Sequence, residues 1–178
     1  MYFTAFPRIF YDAEGNFEPK IVVNLLRRIA VRTTALEERV FFDTYEVKDT
    51  ETPEILANKL YGDPELHWII MLVNNITDRY HGWPKPHNQF LDYLNDKYTS
   101  SQLNEIHHYE ISQTSGDTTK KINIGPIDTT SDLSATAVTN FEFEDNRNEK
   151  LRQIRLLDPE FTPVFVEEFN KLISESVV

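Results

Sequence analysis

The sequence predicts an α+β fold: a strand–helix–helix–strand core with an N-terminal arm and helix, a β-hairpin insertion and a C-terminal helix. Three observations carry this prediction. Residues 40–48 are rich in strand formers and alternate apolar with polar towards their end, as a half-buried strand does. A proline-started helix signal then occurs twice, at Thr52-Pro53-Glu54 and at Asp63-Pro64-Glu65. Residues 80–86 close the unit as a turn that leads into a short strand.

Taken in order, residues 1–11 hold five aromatics, and Pro7 argues against a central strand because it has no N–H to donate. They predict an extended arm that docks on something apolar. From Pro19 the stripe Ile21, Leu25 and Ile29, with Val22 and Leu26 beside it, predicts a helix. After the strand at 40–48, Thr52 caps the first core helix, Pro53 fits its first turn and Glu54 meets its positive end. Leu56, Ala57, Leu60 and Tyr61 form its buried stripe, and Gly62 stops it. The second core helix buries Leu66, Ile69, Ile70 and Val73, with Trp68 and Leu72 on its flank, and ends at Asn74 and Asn75.

Residues 88–98 predict a further helix with Phe90, Leu91 and Leu94 inward. Residues 105–113 and 120–124 predict two strands joined through Ser115-Gly116-Asp117 as a hairpin. Residues 128–140, rich in Ser, Thr, Asp and Ala, lack the bulk for a core and predict a loop or arm. Residues 141–157 mix charge with Leu151, Ile154, Leu156 and Leu157. A last helix follows Pro163, striped by Phe165, Val166, Phe169, Leu172 and Ile173. The expected organisation is an arm and helix (1–39), the core (40–98), the hairpin and Ser/Thr-rich insertion (99–145) and a C-terminal segment (146–178).

Composition narrows the function. The 29 acidic and 18 basic residues give a net charge of −11, and the basic pairs Arg27-Arg28 and Lys120-Lys121 are isolated. Binding nucleic acid needs a patch that neutralises phosphates, so no nucleic-acid partner is expected. No apolar run approaches the ~20 residues that cross a bilayer, and the start lacks the basic and apolar regions of a signal peptide, so a cytosol-like compartment and no membrane are expected. With no cysteine there are no disulfides, thiol catalysis or thiolate zinc sites.

Catalytic patterns are missing too. His81 and His87 lie around Trp83, and His107 and His108 are adjacent; neither pair has metalloprotease spacing, and adjacent strand residues point to opposite faces. No GxGxxG, GxxxxGK[ST] or GxSxG occurs, and nothing fixes a carboxylate pair across a cleft. No catalytic residue, metal or cofactor is expected. Tyr61, Trp68, Tyr80 and Trp83 could form a sugar-stacking surface, but core and loop anchoring is the plainer role for such aromatics.

Two resemblances sharpen this. Tyr45-Glu46-Val47, the turn at 49–52, Ile55-Leu56-Ala57 and Leu72-Val73-Asn74-Asn75 resemble a LysM module, with Tyr45, Leu56, Leu60, Trp68, Ile69 and Leu72 as its core. Such modules commonly bind chitin or peptidoglycan. Residues 53–68, running on through Asn74-Asn75 to Tyr80-His81-Gly82-Trp83, resemble the baseplate wedge subunit of T-even-type phages that carries gene number fifty-three. The opening residues 1–7 and the stretch 148–155 are similar to the two ends of that family, whereas 99–140 departs from it.

The longer resemblance implies a structural, non-enzymatic protein of a contractile tail, placed in the virion baseplate after assembly in the host cytoplasm. It implies that the chain joins neighbouring wedges into a ring around the central hub. Its implied partners are other baseplate wedge subunits, with hub or tube-initiator and sheath-initiator proteins. The expected contact residues are Tyr2, Phe3 and Phe6 of the arm, Tyr80 and Trp83 of the loop, and Asn148, Glu149, Arg152 and Arg155. The alternative is a LysM-type peptidoglycan- or chitin-binding protein. It requires two or more of the four aromatics Tyr61, Trp68, Tyr80 and Trp83 to line an open groove.

Overall fold

The structure, a computed structural model, describes residues 2–27, 29–31, 41–113, 120–125 and 135–175. A 3-10 turn, Tyr2–Ala5, precedes strands β1 (Arg8–Tyr11), β2 (Lys20–Val23) and β3 (Phe42–Glu46). Helices α1 (Pro53–Tyr61), α2 (His67–Val73), α3 (Arg79–Gly82) and α4 (His87–Lys97) follow. Then come β4 (Ile106–Ser112), β5 (Lys121–Gly125), β6 (Thr136–Thr139), α5 (Asn140–Arg152), β7 (Gln153–Leu157) and α6 (Thr162–Glu175). The fold is α+β, in two compact units: Met1–Trp83 with Gln153–Val178, and Pro84–Arg152.

In the first unit the local signals act as anticipated. The Thr52 side chain accepts from the Ile55 N–H, Pro53 opens α1, and Gly62 ends it at φ 73. Asp63 accepts from the Glu65 N–H at 2.8 Å and opens a 3-10 turn, Pro64–Leu66, that runs on into α2. Val47, Leu56, Ala57, Ile70, Trp83, Ile154 and Leu156 form one buried cluster. Ile69, Val73 and Leu157 form a second, flanked by Trp68, Phe161 and Phe165. Each fully buried Leu or Ile contributes about 1.5–3 kcal/mol by leaving water.

Three expectations for this unit are corrected. The helix expected from Pro19 is instead β2, paired antiparallel with β1 from Arg8↔Val23 to Tyr11↔Lys20. The β-branched run Ile21-Val22-Val23 suits a pleated strand better than a helix, and this local preference outweighs the helical spacing of the stripe. Pro7 sits just outside β1, where its carbonyl accepts from the Asn24 N–H at 2.8 Å. The short strand expected after Tyr80 is also absent. The Asp78 side chain accepts from the Tyr80 N–H and caps α3 as a helical turn. β3 pairs instead with β7, from Phe42↔Leu157 to Glu46↔Gln153. In α6, Leu172 is 44% exposed, outside the buried stripe of Phe169 and Ile173.

The second unit is a three-stranded antiparallel sheet, order β5-β4-β6, with α4 and α5. The predicted strands at 105–113 and 120–124 are β4 and β5, while the connecting 115–117 lies outside the described residues. Residues 136–139, expected to be loop, form β6 along the other edge of β4. Thr and Val at 136, 138 and 139 are strand formers whose signal a Ser/Thr/Asp-rich composition hid. Phe90 and Leu94 of α4 are buried, but Leu91 is 39% exposed. Helix α5 buries Glu144 and Asn148, two polar residues, so no apolar stripe announces it.

Candidate assembly interface

Each strand of the N-terminal hairpin is exposed along its whole length. Phe10, 75% exposed, stands opposite Ile21, 62% exposed. Leu25 and Leu26, just past the strand end, are exposed as well. A two-stranded hairpin is marginally stable by itself in water. This one is anchored at its base: Phe6 is buried with Phe169 and Ile173 of α6, and Ile29, Trp68 and Leu72 pack around them. A hairpin rooted in the core and apolar beyond it is a candidate surface for contact with another protein.

Its tip is held in shape from within. The Asp12 carboxylate accepts from the N–H groups of Gly15 and Phe17, each at 2.8 Å, and of Glu14 and Asn16. Desolvation alone would raise this carboxyl, but the four N–H groups outweigh it and hold it below the ordinary aspartate value. The loop places Phe17 at φ 62, a left-handed conformation uncommon for an aromatic, and leaves it 94% exposed.

The expected contact residues divide. The side chains of Tyr2 and Phe3 lie outside the described residues. Phe6 is corrected from docking residue to core anchor, since it is only 6% exposed. Trp83 is corrected in the same way: it is 6% exposed, and its Nε1 donates to the Glu51 carbonyl at 2.8 Å. Tyr80, 81% exposed on α3, is available on the surface. Asn148 is buried in the second unit, where its amide accepts from the Lys85 N–H at 2.8 Å and donates to the Lys85 carbonyl. That internal clamp removes it from the contact set. Glu149 is exposed and pairs with Arg152 at 2.9 Å. Arg155 is exposed in β7, its backbone held by Asn74.

Of the four aromatics required for a glycan groove, Tyr80 alone is exposed. Tyr61 is half-buried and donates its hydroxyl to the Leu157 carbonyl at 3.1 Å, and burial pushes its phenol up to about 12. Trp68 lies against Phe169 with ring centroids 4.5 Å apart. The condition for glycan stacking is not met. Of the core residues expected, Leu56 and Ile69 are fully buried, while Tyr45, Leu60, Trp68 and Leu72 are partly buried and pack on the clusters.

The adjacent histidines depart from the expectation of opposite faces. A register shift between Ile106 and His108 breaks strand alternation and brings their Nδ1 atoms within 2.8 Å. His107 stacks on Phe143 at 3.9 Å and His108 meets the same ring edge-on. No three metal-ligating side chains gather among the described residues.

Sequence reasoning missed a buried polar centre in the second unit. The Glu144 carboxylate, 3% exposed, accepts from Lys97 Nζ at 2.5 Å and from the hydroxyls of Tyr98 and Tyr93 at 3.2 and 3.3 Å. Tyr93, Lys97 and Tyr98 are neighbours in sequence, but Glu144 lies 46 or more residues away, so no local pattern marks the centre.

The family model described as base plate wedge protein 53 matches residues 1–124. Over 40 residues the chain is 45% identical to the baseplate wedge protein gp53 of Enterobacteria phage T4, which is 22% of this chain and 20% of that protein. The aligned stretch thus spans about a fifth of that relative. The matched residues take in the hairpin and the first part of the segment 99–140, and they exclude the stretch 148–155.

Proposed function

Because the chain belongs to the base plate wedge protein 53 family, we propose that it is a structural subunit of a contractile phage tail, joining neighbouring wedges into the ring around the central hub. Its N-terminal hairpin is the principal joining surface. The observation that carries this reading is the set of apolar side chains left bare along the hairpin and just past it, Phe10, Phe17, Ile21, Leu25 and Leu26, while Phe6 roots it in the core. Burying such side chains on a neighbour contributes about 25 cal/mol per Å² removed from water. The chain acts by binding and carries out no catalysis.

Tyr80 on α3 and the exposed charges Glu149 and Arg155 are secondary contacts, together with the arm residues Tyr2 and Phe3. Arg152, mostly buried in its pair with Glu149, positions that carboxylate. The partners are other wedge subunits and neighbouring wedges, with the hub or tube-initiator and sheath-initiator proteins at the inner rim. Assembly takes place in the host cytoplasm.

A pull-down of the tagged chain from infected lysate, beside a pelleting assay with peptidoglycan, tests the reading. Recovery of identified baseplate subunits without pelleting is the expected result. Pelleting with wall fragments and no tail partner would overturn it.

A further inference from the structure

Within the Pro84–Arg152 unit, one face of α5 and the face of the sheet enclose a cleft of about 740 Å³. The helix contributes Phe143, Asn146, Arg147 and Lys150, whose i, i+3, i+4, i+7 spacing places them on one side. β4 contributes His108 and Glu110 to the facing wall, and β5 contributes Lys121 and Asn123, with Lys120 just before it. Val138 and Phe143 give it an apolar floor, and Val138 and the wall residue His108 are buried.

The charge of this cleft opposes that of the chain. Among the described residues four cations line it, Lys120, Lys121, Arg147 and Lys150, against a single carboxylate. That carboxylate, Glu110, is engaged on both oxygens, by Lys121 at 3.5 Å and by His108 at 3.2 Å. Among the described residues no carboxylate lies within ion-pair distance of Lys120, Arg147 or Lys150. In a chain with a net charge of −11, three cations that lie together with no carboxylate within ion-pair distance among the described residues suit an acid supplied from outside.

We propose that this cleft is a docking site for an acidic peptide segment of a partner protein, its carboxylates on Arg147, Lys150 and Lys120 and an apolar side chain on the Phe143–Val138 floor. Guanidinium and ammonium groups on two facing walls suit carboxylates that branch from an extended chain. The amides of Asn123 and Asn146 offer hydrogen bonds to its backbone. A nucleic acid fits less well, because its evenly spaced phosphates need a cationic track, and Glu110 interrupts this one. The site goes beyond the hairpin reading and uses other residues, so hairpin variants leave it intact and failure of either is separable.

The test is fluorescence anisotropy with the full chain and a labelled Glu-Glu-Phe-Glu-Asp-Glu peptide, titrated at salt between about 50 and 300 mM. Saturable binding that weakens with salt, and by about tenfold or more in Arg147→Glu/Lys150→Glu, is expected. The second-wall variant Lys120→Glu/Lys121→Glu should weaken it likewise, whereas Lys171→Glu on α6 should not. Circular dichroism of each variant establishes that it is folded. Several results would overturn the proposal: no saturable binding, equal weakening by Lys171→Glu, or equally tight binding of a single-stranded oligonucleotide of matched charge. Self-association of the chain lost in both cleft variants would also overturn it, by assigning the cleft to a second copy.

Discussion

The side-chain amide of Asn74 pairs with both backbone groups of Arg155, accepting from its N–H at 2.8 Å and donating to its carbonyl at 2.8 Å. A residue that caps α2 thereby serves as a short surrogate strand on the edge of β7 turned away from β3. The same Nδ2 also donates to the Ile70 carbonyl, tying helix end and strand edge together. Asn74→Ala leaves that edge unpaired and should cost about 1–3 kcal/mol. Urea unfolding should show a lower midpoint with an unchanged slope.

Trp68 links two clusters of the first unit, packing on Phe169 and Phe165 of α6 and on the cluster that holds Phe6. Being half-buried, it falls at the lower end of the cost of large aromatic truncations. Trp68→Ala should cost about 3 kcal/mol and loosen the root of the hairpin. Amide exchange should therefore speed up in β1 and β2 more than in the second unit.

The Glu144 centre carries a pH signature. Burial alone would raise its carboxyl, but the Lys97 ammonium and the Tyr98 and Tyr93 hydroxyls outweigh this and hold it below the ordinary glutamate value. Its stabilising contribution is therefore complete above the unfolded-state value near 4.5 and is lost as pH falls through the depressed folded value. Lys97 is held above the ordinary lysine value chiefly by the same carboxylate, so the pair is intact at neutral pH. Near-UV circular dichroism should show an acid transition that Glu144→Gln flattens. Lys97→Met, which strands a buried carboxylate, should cost about 3–5 kcal/mol, more than Glu144→Gln.

Gly62 closes α1 at φ 73 with open space where a Cβ would stand. Any cost of Gly62→Ala is therefore backbone strain alone, about 1–2 kcal/mol. A thermal scan of that variant isolates it from packing.

What was legible in the sequence was local. Thr52-Pro53-Glu54, Gly62 and Asp63-Pro64-Glu65 act through their own backbone, so α1 and α2 could be placed to within a few residues. The strand partner of β3 was not legible, since β7 reaches it only after the second unit has intervened. Helix α5 was hidden because Glu144 and Asn148, the residues it buries, are polar. The N-terminal hairpin failed for the opposite reason: Ile21, Leu25 and Ile29 have helical spacing, while Ile21-Val22-Val23 prefer a strand. Among the contact residues, Tyr80 could be placed on the surface, but Phe6, Trp83 and Asn148 could not be told from exposed residues without their partners.

If the hairpin joins wedges, ring closure in a reconstitution from purified subunits depends on its bare aromatics. The purified chain and its Phe10→Ser/Phe17→Ser variant are each mixed with the other wedge subunits, and closed rings are counted by negative-stain electron microscopy. Both replaced side chains are exposed, so the variant should unfold at nearly the wild-type temperature. Losing two aromatic anchors should weaken association by on the order of 100-fold, leaving wedges unjoined where the wild-type chain closes rings. A folded variant that closes rings as completely as the wild type would exclude the hairpin as the joining surface.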